Sequence, residues 1–450
     1  MRQNKDYLIT EKPSRALLIF SIPMIIGNLF QQAYTIVDSA IVGRYVGETA
    51  LAAVGASYAL TSIFICIAIG GGIGASVIIS HHFGAHNYGR MKTCIRTALL
   101  SFLFISLILG GIGLIFSQQI MEVLNTPADA IDIAVTYLNI YFLGLPFLFM
   151  YNILSSMFNA LGESRIPLYL LIFSSVLNIF LDLYMVAVLN LGVAGAAYAT
   201  FISQGISAVL SLIIFVVTLQ QLQGKAEGWF SKTEFSDMSR IALPSILQQS
   251  TVSIGMMLVQ SVVNSFGTQI LAGFSAAMRI ESLCVVPMSA IGNAMSSYTA
   301  QNIGAEKEER ISQGYRAGNF MIIVIAVILC FFLEIAHKPL IALFLDNEPS
   351  AQTIVTGESY LKFIGFFFCM IGFKMAVDGI LRGAGAVRVF TIANLVNLTL
   401  RVTIAKFGAP IWGVSIVWYA VPLGWLANFL ISYGYYRTEK WKEAASKTVD

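Results

Sequence analysis

Apolar residues run along this chain in blocks much longer than a soluble strand or helix needs, and polar residues collect in the gaps between them. A helix that crosses a membrane takes roughly 20 mostly apolar residues. Twelve blocks meet that length, at 15–43, 51–80, 92–118, 131–155, 165–188, 193–219, 241–263, 271–298, 314–336, 353–380, 387–406 and 411–435. Two boundaries rest on chain breakers. Residues 183–224 carry no Asp, Glu, Lys or Arg, too long a stretch for one span, so the break is placed at "LNLG", 189–192. The run 387–435 divides at "FGAPIWG", where Gly408 and Pro410 interrupt a helix. The pattern predicts an all-α membrane protein of twelve transmembrane helices.

Composition agrees. The 450 residues are 57% hydrophobic and 11% charged, against about 25% charged in soluble domains. The net charge of +3 is weak and scattered, which excludes a nucleic-acid partner. The five cysteines lie in apolar segments without a C-x-x-C pair and read as packing residues. The polar start "MRQNKDYLITEKPSR" and the missing small-residue cleavage site argue against a signal peptide.

Lys and Arg set the orientation. With the N-terminus cytoplasmic, twenty of the 27 fall on the cytoplasmic side, three (Arg44, Lys338, Lys406) outside, and four (Arg279, Lys362, Lys374, Arg401) within spans. Both termini are therefore expected in the cytoplasm of a cell-membrane protein. The chain also repeats itself. Shifted by 220 residues, 47–96 matches 267–316 at eleven of fifty positions, Gly72, Ser76, Gly84, Ala85, Arg90 and Arg96 among them. Each repeat holds six spans, an even number, so both enter the membrane the same way, as in parallel-repeat transporters. The expected organisation is an N-lobe (1–219), a cytoplasmic linker (220–240) whose Trp229 and Phe230 rest at the interface, and a C-lobe (241–450).

Charge at mid-membrane costs a few kcal/mol, about 3 on insertion scales, and faces a bundle interior or a wet cavity. Asp38, Asp182 and Thr200 share one depth, roughly 8–10 Å below the outer surface at 1.5 Å per residue. Asn178, four residues before Asp182, shares its helix face. Two carboxylates, an amide and a hydroxyl at one level make a candidate site for H⁺ or Na⁺. Low dielectric and mutual repulsion are expected to raise the pKa of at least one carboxylate toward neutrality, as a proton carrier needs. Pro23, below Asp38, frees a backbone carbonyl and is a candidate hinge. In the second half, Gln248, Arg279, Glu281, Asp378 and Arg401 form a candidate polar site. The alternative there is neutralised structural pairs, with Lys374 and Asp378 paired at i, i+4.

"HHFGAH" puts His82 and His86 four apart, but Gly84 intervenes and no acidic or Cys residue is near in sequence, so no metal is expected. No nucleotide-binding or hydrolase signature is present, so the protein is not expected to be an enzyme, needs no cofactor, and draws on an ion gradient.

With "VDSAIVGRYVG", "ALGESRIP", "NIFLDLYMV" running into "GVAGAAYAT", and the paired "GA" turns at 84–85 and 304–305, the whole chain resembles the multidrug and toxic compound extrusion (MATE) family. The resemblance implies a V-shaped pair of six-helix lobes that works by alternating access. It also implies export of small cationic amphipathic drugs or metabolites in antiport with H⁺ or Na⁺. By motif, the family's N-lobe ion site falls on Asp38, Asn178, Asp182 and Thr200, and its drug cavity on Gln31 and Tyr34. The first half departs from the pattern at His81, where the second half has Gln301, and the seventh span lacks an acidic residue seen in some Na⁺-coupled members. The alternative is a lipid-linked saccharide flippase of the same superfamily. A channel is disfavoured by the two-lobe repeat, and nothing in the sequence demands more than a monomer.

Overall fold

The computed structural model describes residues 6–124, 126, 130–345 and 350–449. Arg2 and Lys5, counted above with the cytoplasmic charges, lie outside them. The described residues form helices with no strand. In the first half these are α1 (Tyr7–Thr10), α2 (Pro13–Tyr45), α3 (Glu48–Gly84), α4 (Tyr88–Val123), α5 (Ile131–Ala160), α6 (Arg165–Asp182) and α7 (Gly192–Gln220), with a π-helical turn, Leu183–Val188, after α6. The second half holds α8 (Lys232–Asn264), α9 (Thr268–Gly304), α10 (Glu309–Ala342), α11 (Ala351–Gly365), α12 (Phe368–Gly383), α13 (Val387–Trp412), α14 (Ser415–Arg437) and α15 (Trp441–Val449). Among the described residues eleven helices are long and apolar enough to cross a membrane, and α11 with α12, bent by 53°, complete a twelfth span.

Three local expectations are corrected. The block 353–380 is not one helix: it breaks at Phe366–Phe367, directly after Gly365, a weak helix former. The last break lies further on than expected. Helix α13 runs through Gly408 and Pro410, because Pro410 sits in the final turn, where its missing N–H removes a single bond. The helix ends at Gly413, whose φ of 74° suits glycine and whose N–H bonds Ala409 O at 3.0 Å. The linker is also shorter than expected, since α8 starts at Lys232 with Ser231 Oγ accepting from Glu234 N. The other inserted break, at 189–191, falls where it was placed, with Asn190 and Gly192 both at positive φ.

The chain packs as two compact units, Ile26–Ile246 and Met1–Ile25 with Leu247–Asp450. The repeat-based division followed chain order, whereas packing places the first 25 residues with the second half and 220–246 with the first. The cuts fall in α2 and α8, each two residues past a buried or half-buried proline, Pro23 and Pro244.

Matching grips hold these exchanged helix starts. In the second-half unit, Arg310 donates to Glu11 O (2.6 Å), Lys307 to Ile9 O (3.0 Å) and Asn302 to Leu8 O (3.2 Å). In the first-half unit, Arg90 and His82 hold the Glu234 carboxylate at 3.3 and 3.0 Å. Lys92 bonds the carbonyls of Leu222 and Gly224 there, and Arg96 lies 4.7 Å over the Trp229 ring.

Both units turn apolar side chains outward. Ile115 on α4 is 70% exposed and Ile335 on α10 is 82% exposed, alongside Phe104, Phe331 and Phe332. Such stripes suit lipid and would aggregate in water. Inside, Phe142 meets Phe64 edge-on at 5.6 Å in the first unit.

Candidate functional site

The first-unit site is assembled from α2, α6 and α7, with α5 behind it. Asn178 on α6 is its hub. In the amide orientation that satisfies every neighbour, Nδ2 donates to Tyr34 Oη (3.0 Å) and Asp182 Oδ2 (2.8 Å). Its oxygen then accepts from the Thr200 hydroxyl (3.3 Å) and backbone N–H (3.1 Å). The Asp38 and Asp182 carboxyls lie near enough to act on each other through charge. A hydrogen bond between two carboxyls needs a proton on one of them. Asp182 and Asn178 are fully buried, while Asp38, Tyr34 and Thr200 are half-buried. One oxygen of each carboxylate, Oδ1, is buried without a donor.

The structure therefore brings Asp38, Asn178, Asp182, Thr200 and Tyr34 together. Gln31 is exposed on α2 and outside this network. Pro23 is buried in an unbroken helix, within the other unit. The chain leaves α-geometry directly after Asp182, in the π-helical turn, a distortion frequent at functional sites.

Sequence reasoning missed Tyr137 on α5, which shares a small cavity with Thr200. Its only sequence signal is the i, i+4 pair with Tyr141, which a lipid-length helix also uses for packing. Behind them a cavity of about 20 Å³ is lined by Tyr137, Tyr141, Thr200 and Gln204. That is room for one water.

The second-unit charges divide. Lys374 Nζ pairs with Asp378 at 3.1 Å and donates to Asn394 at 3.1 Å, while Ser432 donates to Asp378 at 2.7 Å. This is the expected neutralised pair. Glu281 accepts from Tyr360 at 2.6 Å. Arg279 is exposed, and Gln248 keeps a buried, unpartnered Oε1. Arg401 is buried, its Nε has no hydrogen-bond partner among the described residues, and it acts on Glu281 through charge. The histidines also differ from expectation: an acidic group is near His82, since folding brings Glu234 to it from 152 residues away, whereas His86 bonds the Tyr88 hydroxyl.

A model of the MatE family matches residues 23–184 and 244–406. The chain belongs to the MATE family. The two matched stretches begin at Pro23 and Pro244, in step with the internal repeat. This MATE chain is 32% identical over 430 residues to the probable multidrug resistance protein YpnP of Bacillus subtilis, covering 95% of this chain and 96% of that one. It is 27% identical to the probable multidrug resistance protein YoeA of the same organism, covering 97% of each. A solved MATE structure in complex with MaL6 has the same fold, with a TM-score of 0.91 at 24% identity over 99% of this chain and all of that one. The protein is thus a multi-pass membrane transporter of small molecules and not an enzyme. The multidrug-resistance names of its relatives do not favour the flippase alternative.

Proposed function

We propose that this protein exports amphipathic cationic compounds as a monomer, with both termini cytoplasmic, in exchange for protons taken up by Asp38 and Asp182. The observation that carries this reading is two neighbouring carboxyls in a helix bundle, where charge is expensive, each with a buried oxygen that has no donor among the described residues. Held with a shared proton, the pair draws Asp38 on α2 to α6. Without that proton, two adjacent negative charges repel. Asn178 and Thr200 fix the geometry of Asp182, so the adjustment falls on Asp38 and its helix. Pro23, with no N–H to complete the helix ladder, is the point where α2 bends. Gln31 and Tyr34, one and two turns from Asp38, contact the exported compound.

The test is ethidium efflux from cells lacking their own pumps, with wild type and Asp38→Asn at matched membrane levels. Efflux that needs Asp38 and collapses with a protonophore supports proton antiport. Collapse only on removal of Na⁺ assigns the same oxygens to sodium. Undiminished efflux by Asp38→Asn refutes the role.

A further inference from the structure

The second-unit cavity has a volume of about 190 Å³ and is lined by Glu281, Lys374, Asn397, Arg401 and Trp425, with methionines from α8, α9 and α12. Arg401 is 8% exposed, and among the described residues no acidic side chain lies within 4.0 Å of it and none accepts a hydrogen bond from it. A guanidinium stays charged and carries five donors in a planar fork. Left alone in a protein interior it is strongly unfavourable. The carboxylates nearby are already engaged: Asp378 by Lys374 and Ser432, and Glu281 by the Tyr360 hydroxyl. Glu281 interacts with Arg401 through charge but is not bonded to it. The cavity thus offers an unused bidentate donor beside polarisable Met256, Met278 and Met375 and the Trp425 ring.

We infer that this cavity binds the carboxylate of a small aromatic acid, its oxygens on the Arg401 fork and its ring against Trp425 and the methionines. A planar carboxylate matches the guanidinium as a point-like cation partner does not. The mostly apolar wall favours an organic anion over inorganic phosphate. The volume is below the ~300–1,000 Å³ of drug pockets, so it admits a small acid or the acid-bearing end of a larger compound. Glu281, on the same wall, opposes the ligand's charge. The inference stands apart from the Asp38–Asp182 site and does not rest on proton antiport.

The test is benzoate binding to purified full-length protein in lipid nanodiscs, by calorimetry, with tetramethylammonium and inorganic phosphate as comparison ligands. Wild type is expected to bind benzoate in preference to both. Arg401→Met is expected to lose at least tenfold in affinity, Arg401→Lys to recover part of it, and Glu281→Gln to bind more tightly than wild type. The melting temperature of ligand-free Arg401→Met/Glu281→Gln is expected to lie close to that of wild type, because the two opposite charges are removed together. Equal benzoate binding by wild type and Arg401→Met, no benzoate binding at all, or preferential tetramethylammonium binding lost in Glu281→Gln would each overturn the inference. So would a large drop in the melting temperature of Arg401→Met/Glu281→Gln, which would give Arg401 a structural role beyond neutralising Glu281.

Discussion

At the scale of single residues, what matters is which polar atoms are spoken for. Asn178 makes four hydrogen bonds to three residues with one amide. Asn178→Ala strips Asp182 and Tyr34 of a partner each, and leaving a buried acceptor unmet costs about 1–3 kcal/mol. We expect Asn178→Ala to insert normally yet lose at least tenfold in ethidium efflux rate, a loss that Asn178→Gln does not restore because its longer arm misplaces the amide. Undiminished efflux would remove Asn178 from the mechanism. The Lys374–Asp378 pair makes the opposite prediction. Lys374→Met leaves Asp378 buried and uncompensated on that side, a loss of up to about 3–5 kcal/mol. The double variant Lys374→Met/Asp378→Asn is expected to recover most of the lost melting temperature with little change in efflux. Non-recovery would mean that Lys374 has a role beyond neutralising Asp378. The first-unit site was legible in sequence because carboxylates and amides are rare in apolar segments, and helical rise converts position into depth. Tyr137 was not, because a tyrosine in a membrane helix is common. The isolation of Arg401 was not, because pairing across helices depends on packing that spacing within one helix does not encode.

At the scale of elements, apolar length located the spans to within a turn or two, and misjudged them where one residue decides. The Gly365 break and the passage of α13 through Pro410 are such cases: a weak former inside a block breaks it, while a strong breaker in the last turn does not. Close packing adds a constraint of its own. The backbones of α9 and α12 approach so closely that a Cβ on Gly379 would collide with the Gly292 carbonyl. Gly379→Val is expected to destabilise the protein by at least the 1–3 kcal/mol typical of overpacking, read as a lowered melting temperature in detergent. An unchanged melting temperature would show that the two helices can part without loss. The repeat also explains the paired grips. Arg90 and Arg310 are equivalent by the 220-residue shift; Arg90 reaches Glu234 in the first turn of α8, and Arg310 reaches Glu11, just before α2. The repeat was visible in sequence, but the exchange of helix starts was not, because the grips on Leu8, Ile9 and Glu11 use backbone carbonyls, which carry no sequence signature.

At the scale of the whole molecule, the distribution of Lys and Arg makes a claim that internal packing cannot: which ends of the helices face the cytoplasm. The linker after α7 carries Lys225 and runs into Lys232, the first residue of α8, and Arg96 beside it is covered by Trp229. The connection between the π turn and α7, by contrast, has no charged residue. If basic loops stay inside, the two connections lie on opposite faces of the membrane, since α7 crosses between them. Single cysteines make this measurable once Cys66, Cys94, Cys284, Cys330 and Cys369 are replaced by serine or alanine and efflux is retained. Gly228→Cys sits half-buried in the linker and Leu191→Cys exposed at the other connection, both outside the helices. A membrane-impermeant maleimide added to intact cells is expected to label Leu191→Cys and spare Gly228→Cys, with the pattern reversed in inside-out vesicles. The reverse result in intact cells would invert the topology and put the Asp38 level near the cytoplasmic face. The carboxyl pair would then meet its proton from the wrong side for uptake-driven export, so this measurement bears on antiport as directly as substitution of Asp38 itself.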